Sequence, residues 1–231
     1  MRLTKQKTSY LDSPIDQLHQ HVLFWPVVIV AFLLWLGYRL FFHFPIWFDE
    51  TIGKAVFFGL PVWFYLVVSR RRALLMPLDL RRFEVGLFLG LAIGGIYGFS
   101  TAIASLVAKG GLVQAAPIFA SSIFWYEFVL ALMTGFWESL FFFVFLAGVI
   151  GQKYAKSSWY LQIGLSVGLF LLFHLPSVIM REQLSASIAQ GSLLALFALG
   201  QTLLFYRWRN LYALTLSHAI WGTVLLLHTG F

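Results

Sequence analysis

The chain has 231 residues, 60% of them hydrophobic and only 11% charged, with a formal net charge of +7. A soluble domain of this size would lack the polar sequence to cover its surface, so the composition describes a membrane protein. The Lys and Arg residues sit in short connections between apolar stretches, which suits contact with a lipid bilayer's headgroups and argues against a nucleic-acid partner. With no cysteine there is no disulfide, thiolate nucleophile or cysteine-ligated metal.

Residues 1–21 read as a polar cytoplasmic tail. The polar stretch from Thr8 to Pro14 precedes an apolar run that begins near Val22. That run is too long for a signal h-region and has no small-residue cleavage site after it, so a processed signal peptide is not expected. Residues 22–231 read as one transmembrane domain. Its apolar runs are continuous over about twenty residues, as helices require, and do not alternate over about ten, as barrel strands do. The expected fold is therefore an all-α, polytopic transmembrane helical bundle of about seven spans. They lie at roughly 22–44, 52–69, 84–108, 122–150, 159–180, 189–206 and 211–228.

The third span carries Gly94, Gly95 and Gly98, a small-residue face for close helix contact. The segment 109–121 is the one long outer connection, either a plain loop or an interfacial cover. The fourth span is over-long, which implies tilt, a kink at Gly135 or a short re-entrant start. With the N-terminus in the cytoplasm, twelve Lys and Arg fall inside and four outside (Arg39, Lys54, Lys109 and Arg181). That bias orients the chain N-in, and places Asp49 and Glu50 in an outer loop. Trp25, Trp47, Trp125, Tyr126, Trp159, Tyr160, Tyr206 and Trp208 read as interfacial anchors, and Phe141-Phe142-Phe143 as lipid-facing or core packing.

Three ionisable residues stand inside separate apolar spans: Glu138, His174 and His218. Such groups cost several kcal/mol in hydrocarbon (roughly 2.5–3.5 near the centre on insertion scales) and persist where a bundle interior or wet cavity partners them. Counted at 1.5 Å per residue from the cytoplasmic ends of their spans, they lie about 18, 22 and 10 Å deep. A common site is permitted, with a scatter of about 12 Å to be absorbed by tilt or by a kink at Pro176. A carboxylate beside an imidazole can take a proton from water as it attacks a carbonyl, and a second imidazole can donate to the developing oxyanion. The same three groups could instead ligate zinc, although no His-Glu-x-x-His signature is present. Structural readings also exist: a helix–helix hydrogen bond for either histidine, a packing partner for Glu138, or a proton relay of a carrier. Glu127, eleven residues before Glu138, shares its helix face but reads as interfacial. His43 and His228 lie near span ends, and His19 and His21 beside the membrane.

The segments Trp137-Glu138-Ser139-Leu140-Phe141-Phe142-Phe143, Phe170-Leu171-Leu172-Phe173-His174 and His218-Ala219-Ile220-Trp221-Gly222 resemble three motifs of CPBP-type intramembrane glutamic peptidases. That family includes the CAAX prenyl endopeptidases. Its motifs are Glu-Glu followed by three residues and Arg, then Phe-x-x-x-His, then His-x-x-x-Asn. The similarity spans about 100 residues, and three positions depart from it: Ser139 for the second glutamate, Phe143 for the arginine and Gly222 for the asparagine. The resemblance implies a peptidase in which Glu138 activates water with help from His174, while His218 contributes to the oxyanion site. It implies a membrane-tethered or transmembrane protein substrate, no cofactor and no metal, with a catalytic core at 122–228. The expected location is a multi-pass position in a bacterial cell membrane. The alternative is a non-catalytic scaffold or immunity-like protein that keeps the bundle.

Overall fold

A computed structural model describes residues 14–108, 123–181 and 184–229, with side chains at 22–71, 73–104, 123–176 and 191–224. The first thirteen residues of the expected tail and the expected outer connection at 109–121 lie outside the described residues. Among the described residues seven long helical rods follow one another: α1 (Pro14–Phe41), α2 (Ile46–Ser69), α3 (Phe83–Ala108), α4 (Phe124–Lys153), α5 (Trp159–Arg181), α6 (Leu184–Trp208) and α7 (Leu211–Thr229). Among the described residues five stretches are long and apolar enough to cross a membrane: Val22–Phe41, Ile46–Ser69, Leu80–Ala104, Phe124–Lys153 and Trp159–Pro176. The protein is a multi-pass, all-α membrane bundle.

The rods are not uniform. In α2, π-helical turns at Asp49–Gly53 and Ala55–Gly59 precede the regular stretch Leu60–Ser69, and Arg70 closes the rod in the left-handed region (φ 54°). In α4, an α-helical half, Phe124–Glu138, gives way to a π-helical stretch, Ser139–Ala147, before Gly148–Lys153 resumes the α form. The irregularity expected in this over-long span thus begins just after Glu138 rather than at Gly135.

Between lipid and bundle there is little hydrophobic drive, so close packing and polar contacts hold helices together. Every residue of Ser139–Ala147 is buried, which puts this stretch at the centre of the bundle. Phe141, Phe142 and Phe143 are core residues with at most 1% exposure, so they do not face lipid. Phe58 of α2 packs on Phe141 and Phe142, while Phe170 and Phe173 of α5 meet Phe142 edge-on at ring separations of 4.9 and 5.5 Å. Such ring pairs contribute about 0.5–1.5 kcal/mol each.

Small residues set the closest approaches. A Cβ added at Gly86, Gly90, Gly94 or Gly98 of α3 would come within 2.6–3.1 Å of α7 or its cap residue Asn210, whereas Gly95 faces open space. The glycine face is therefore longer than expected and excludes Gly95. At Gly135 of α4 a Cβ would sit 2.7 Å from the Thr215 carbonyl oxygen of α7. α7 starts on buried residues. Asn210 (4% exposed) donates to the Arg82 carbonyl at 2.8 Å and accepts from the Ala213 N–H at 3.1 Å, and Leu211 is 1% exposed.

Trp47, Trp125, Tyr126, Trp159, Tyr160 and Trp208 are exposed, as anchors should be. Trp25 and Tyr206 are only partly so, because Trp25 donates to the Tyr154 hydroxyl at 3.3 Å and Tyr206 to the Ala147 carbonyl at 3.1 Å.

Candidate active site

Glu138, the last residue of the α-helical half of α4, is 4% exposed and gathers partners from three other helices. Its Oε2 lies 3.3 Å from His174 Nε2 on α5 and 3.5 Å from His218 Nε2 on α7; its Oε1 lies 2.7 Å from Lys54 Nζ on α2. The three residues singled out by sequence therefore converge on one carboxylate. Leu211, from which the depth of His218 is counted, is itself buried in the bundle (1% exposed), so that count does not start from a surface residue.

The fourth partner was not anticipated. Asp49 and Glu50 were expected in an outer loop and Lys54 among the outside charges at the head of a span, yet all three belong to α2, and Lys54 is only 7% exposed. Glu50 and Lys54 form an i,i+4 pair, Asp49 holds Arg39 at 3.1 Å, and Tyr38 also donates to Asp49. These charges satisfy one another, and the helix begins six residues earlier than its apolar run. Thr134, one turn before Glu138 on α4, donates its hydroxyl to Glu50. A chain of contacts thus runs from Thr134 to Glu50 to Lys54 to Glu138. The opposite charges at i,i+4 spacing at the head of an apolar run were the sequence signal for it.

The two histidines are held differently. His174 Nδ1 lies 2.8 Å from the Phe170 carbonyl oxygen of its own helix. A carbonyl only accepts, so Nδ1 carries a hydrogen and Nε2 faces Glu138 either with a lone pair or with a second proton. Two acceptors 3.3 Å apart repel, so one proton belongs between Glu138 and His174, or in water that bridges them. Phe170 stacks on the His174 ring (centroids 4.1 Å apart, planes at 22°), and Phe143 stacks in turn on Phe170 (5.8 Å, 23°). His218 is fixed instead by Phe197, edge-on at 4.8 Å, and its Nδ1 has no hydrogen-bond partner among the described residues.

A cavity of about 90 Å³ is lined by Glu138 and His174, by the charged residues Arg39, Asp49, Glu50 and Lys54, and by Trp35, Phe58 and Phe173 as apolar walls. A water needs roughly 10–15 Å³ measured this way, so several fit. His218 is not among the lining residues. Glu127 is half-buried, about three turns from Glu138 and apart from the cluster. His43 is exposed. Among the described residues no trio of His, Asp and Glu is arranged to hold a metal ion. Zinc would need Glu138 with both Nε2 atoms, and the ammonium on Oε1 would repel a dication there.

Residues 120–224 match the family model for type II CAAX prenyl endopeptidase Rce1-like proteins. The match covers slightly under half of the chain, from just before α4 into α7, and includes Glu138, His174 and His218. Lys54 and Glu50 lie outside it. No curated protein and no solved structure matches the chain.

If His174 shares a proton with Glu138, His174→Ala is expected to lower turnover about 100-fold or more. Its partly exposed ring is not a core filler, so the unfolding temperature in detergent should change little. Turnover and melting, measured on the same preparation, check this; a large loss of stability with unchanged turnover per folded molecule would make His174 a packing residue.

Proposed function

We propose that the protein is an intramembrane, glutamate-dependent peptidase that hydrolyses a peptide bond in a membrane-tethered or transmembrane protein. The convergence of two imidazoles on one carboxylate, which together with His174 lines a polar cavity able to hold several waters, carries this reading. A water between Glu138 and His174 loses its proton to the pair as its oxygen attacks the scissile carbonyl carbon. His218 Nε2–H supports the negative charge, and the shared proton then passes to the leaving amine as the C–N bond breaks. In this reading Glu138, His174 and His218 are the catalytic residues, with no metal or cofactor, and 122–228 is the catalytic core.

Seven crossings, an inside N-terminus with a tail at 1–21, a transmembrane domain at 22–231 and residence in a bacterial cell membrane belong to the same proposal. In that orientation Arg39 and Asp49 stand at the outer face, and a locally unfolded peptide reaches Glu138 from there through the cavity.

We read the chain as a divergent member of its family. Phe143, where the family has arginine, is a fully buried ring in the stack behind His174. Gly222 lies one turn after His218, and among the described residues a Cβ there would meet nothing within 4 Å. Among the described residues none puts a polar atom within 4 Å of that position to replace the asparagine. Gly222→Asn should therefore fold normally and raise turnover, since one oxyanion donor contributes about 3–4 kcal/mol in other hydrolases. Turnover that stays the same or falls in the folded variant would remove this face of α7 from the oxyanion site.

The direct test is cleavage of a transmembrane-peptide library in liposomes, read by mass spectrometry, with His174→Ala as the control. The departures at Phe143 and Gly222 favour a second reading, a non-catalytic scaffold or immunity-like protein. No cleavage by wild-type protein, together with a stable partner whose capture needs the same bundle, would establish that reading instead.

A further inference from the structure

Lys54 differs from the other Lys and Arg side chains among the described residues. It is buried, and its ammonium lies between two carboxylates, 2.7 Å from Glu138 Oε1 on one side and paired with Glu50 on the other. The second carboxylate is itself tied down, because Thr134 donates to Glu50. Thr134 precedes Glu138 by four residues on the same helix, so α2 and α4 are joined twice on one face, through Thr134–Glu50 and through Lys54–Glu138. Gly59 of α2, where a Cβ would come within 2.8 Å of the Trp137 ring, leaves that ring of α4 the room to lie against α2.

Two features of this arrangement go beyond burying a charge. Glu50 is the more exposed of the two carboxylates, at 28% of its side chain against 6% for Glu138, and needs a counter-ion less. The geometry also divides the labour on Glu138: one oxygen is fixed by Lys54 and the other is turned to the two histidines. A carboxylate held by one oxygen presents the other in a single orientation, and losing that hold frees rotation about the side chain's last bonds.

We infer that Lys54, tethered by Glu50 and Thr134, is a positioning residue for Glu138, clamping one carboxylate oxygen so that the other meets His174 and the water it activates. The inference rests on the peptidase reading for its catalytic consequence, but the clamp itself is a property of the folded protein.

Lys54→Met alone would leave both carboxylates without their cation, so the informative variant is Lys54→Met/Glu50→Gln, which removes cation and counter-ion together. The expected result is a folded protein whose kcat falls about 100-fold with KM little changed. Lys54→Arg should keep most of the activity, and propylammonium should restore part of it to the double variant while propanol does not. Infrared difference spectra, with the Glu138 band assigned through Glu138→Gln, should show that carboxylate shifted in the double variant. If the double variant turns over like wild type, or the Glu138 band does not move, Lys54 serves only Glu50 and the inference is wrong. Wild-type protein that cleaves nothing would defeat the peptidase reading, yet the infrared result would still decide the clamp. Should the double variant not fold, the folded Glu138→Gln protein, isotope-labelled at lysine nitrogen, answers instead. A Lys54 resonance that shifts on that substitution supports the clamp, and one that moves only with Glu50→Gln overturns it.

Discussion

Glu138→Gln ends turnover: cleavage of a membrane peptide should fall by about 10²–10⁴-fold, to background in an ordinary assay. The amide is nearly isosteric with the carboxylate but cannot take a proton from water. The fold should survive, because the cation left behind is not orphaned. Lys54 keeps its pair with Glu50, and Glu50 keeps the hydroxyl of Thr134. Removing one partner of a buried ion pair ordinarily destabilises by about 3–5 kcal/mol through the uncompensated charge. Here the second carboxylate absorbs most of that cost. Parallel measurements of cleavage rate, helical content and melting temperature in detergent check both halves. Undiminished cleavage would remove Glu138 as the base, and unfolding of the variant would show that the carboxylate is there for architecture.

Gly135→Val should damage both stability and activity, although residue 135 touches no substrate. The closest atom a Cβ would meet is a backbone oxygen, that of Thr215 at 2.7 Å, with the Ala219 nitrogen and His218 Cβ each at 3.3 Å. Backbone cannot yield as a side-chain tip can, so α4 and α7 must move apart, at a cost of about 1–3 kcal/mol or more. The same movement draws His218 away from Glu138, where 3.5 Å is already the longest of the contacts. A melting temperature lowered by several degrees and a loss of turnover greater than the loss of folded protein are expected. Wild-type melting and turnover would mean that the helices are not locked at this point.

The bundle and the three ionisable residues were legible in the sequence, because apolar runs of about twenty residues and polar intruders inside them are local signals. Their meeting was not. Depth counting gave His218 about 10 Å and His174 about 22 Å, since it assumes that every helix starts at one surface and rises evenly. Asn210 and Leu211 are buried, and α4 changes its helical ladder below Glu138; neither fact is written in a hydropathy pattern. Lys54 counts as an outside charge because topology arithmetic treats any cation at a span end as exposed. The Glu50–Lys54 spacing could have corrected that reading, but the contact with Glu138 spans 84 positions and had no local signature. Gly94 and Gly98 were found as small residues, whereas separating them from Gly95 needed the helix that lies against them.

The π-helical stretch after Glu138 alters what counts as a neighbour along this chain. In an α-helix residues three and four apart share a face, while an i→i+5 ladder makes the fifth residue the one below. From Glu138 that residue is Phe143, whose ring reaches His174 through Phe170. An insertion or deletion of one residue within 139–147 would leave composition and hydrophobicity almost unchanged and still turn everything beyond it by a large fraction of a right angle or more. In this part of the chain, length is under tighter constraint than residue type. A Leu exchanged for Met is a small repacking, whereas a missing Leu is a rotation of the carboxylate away from its partners.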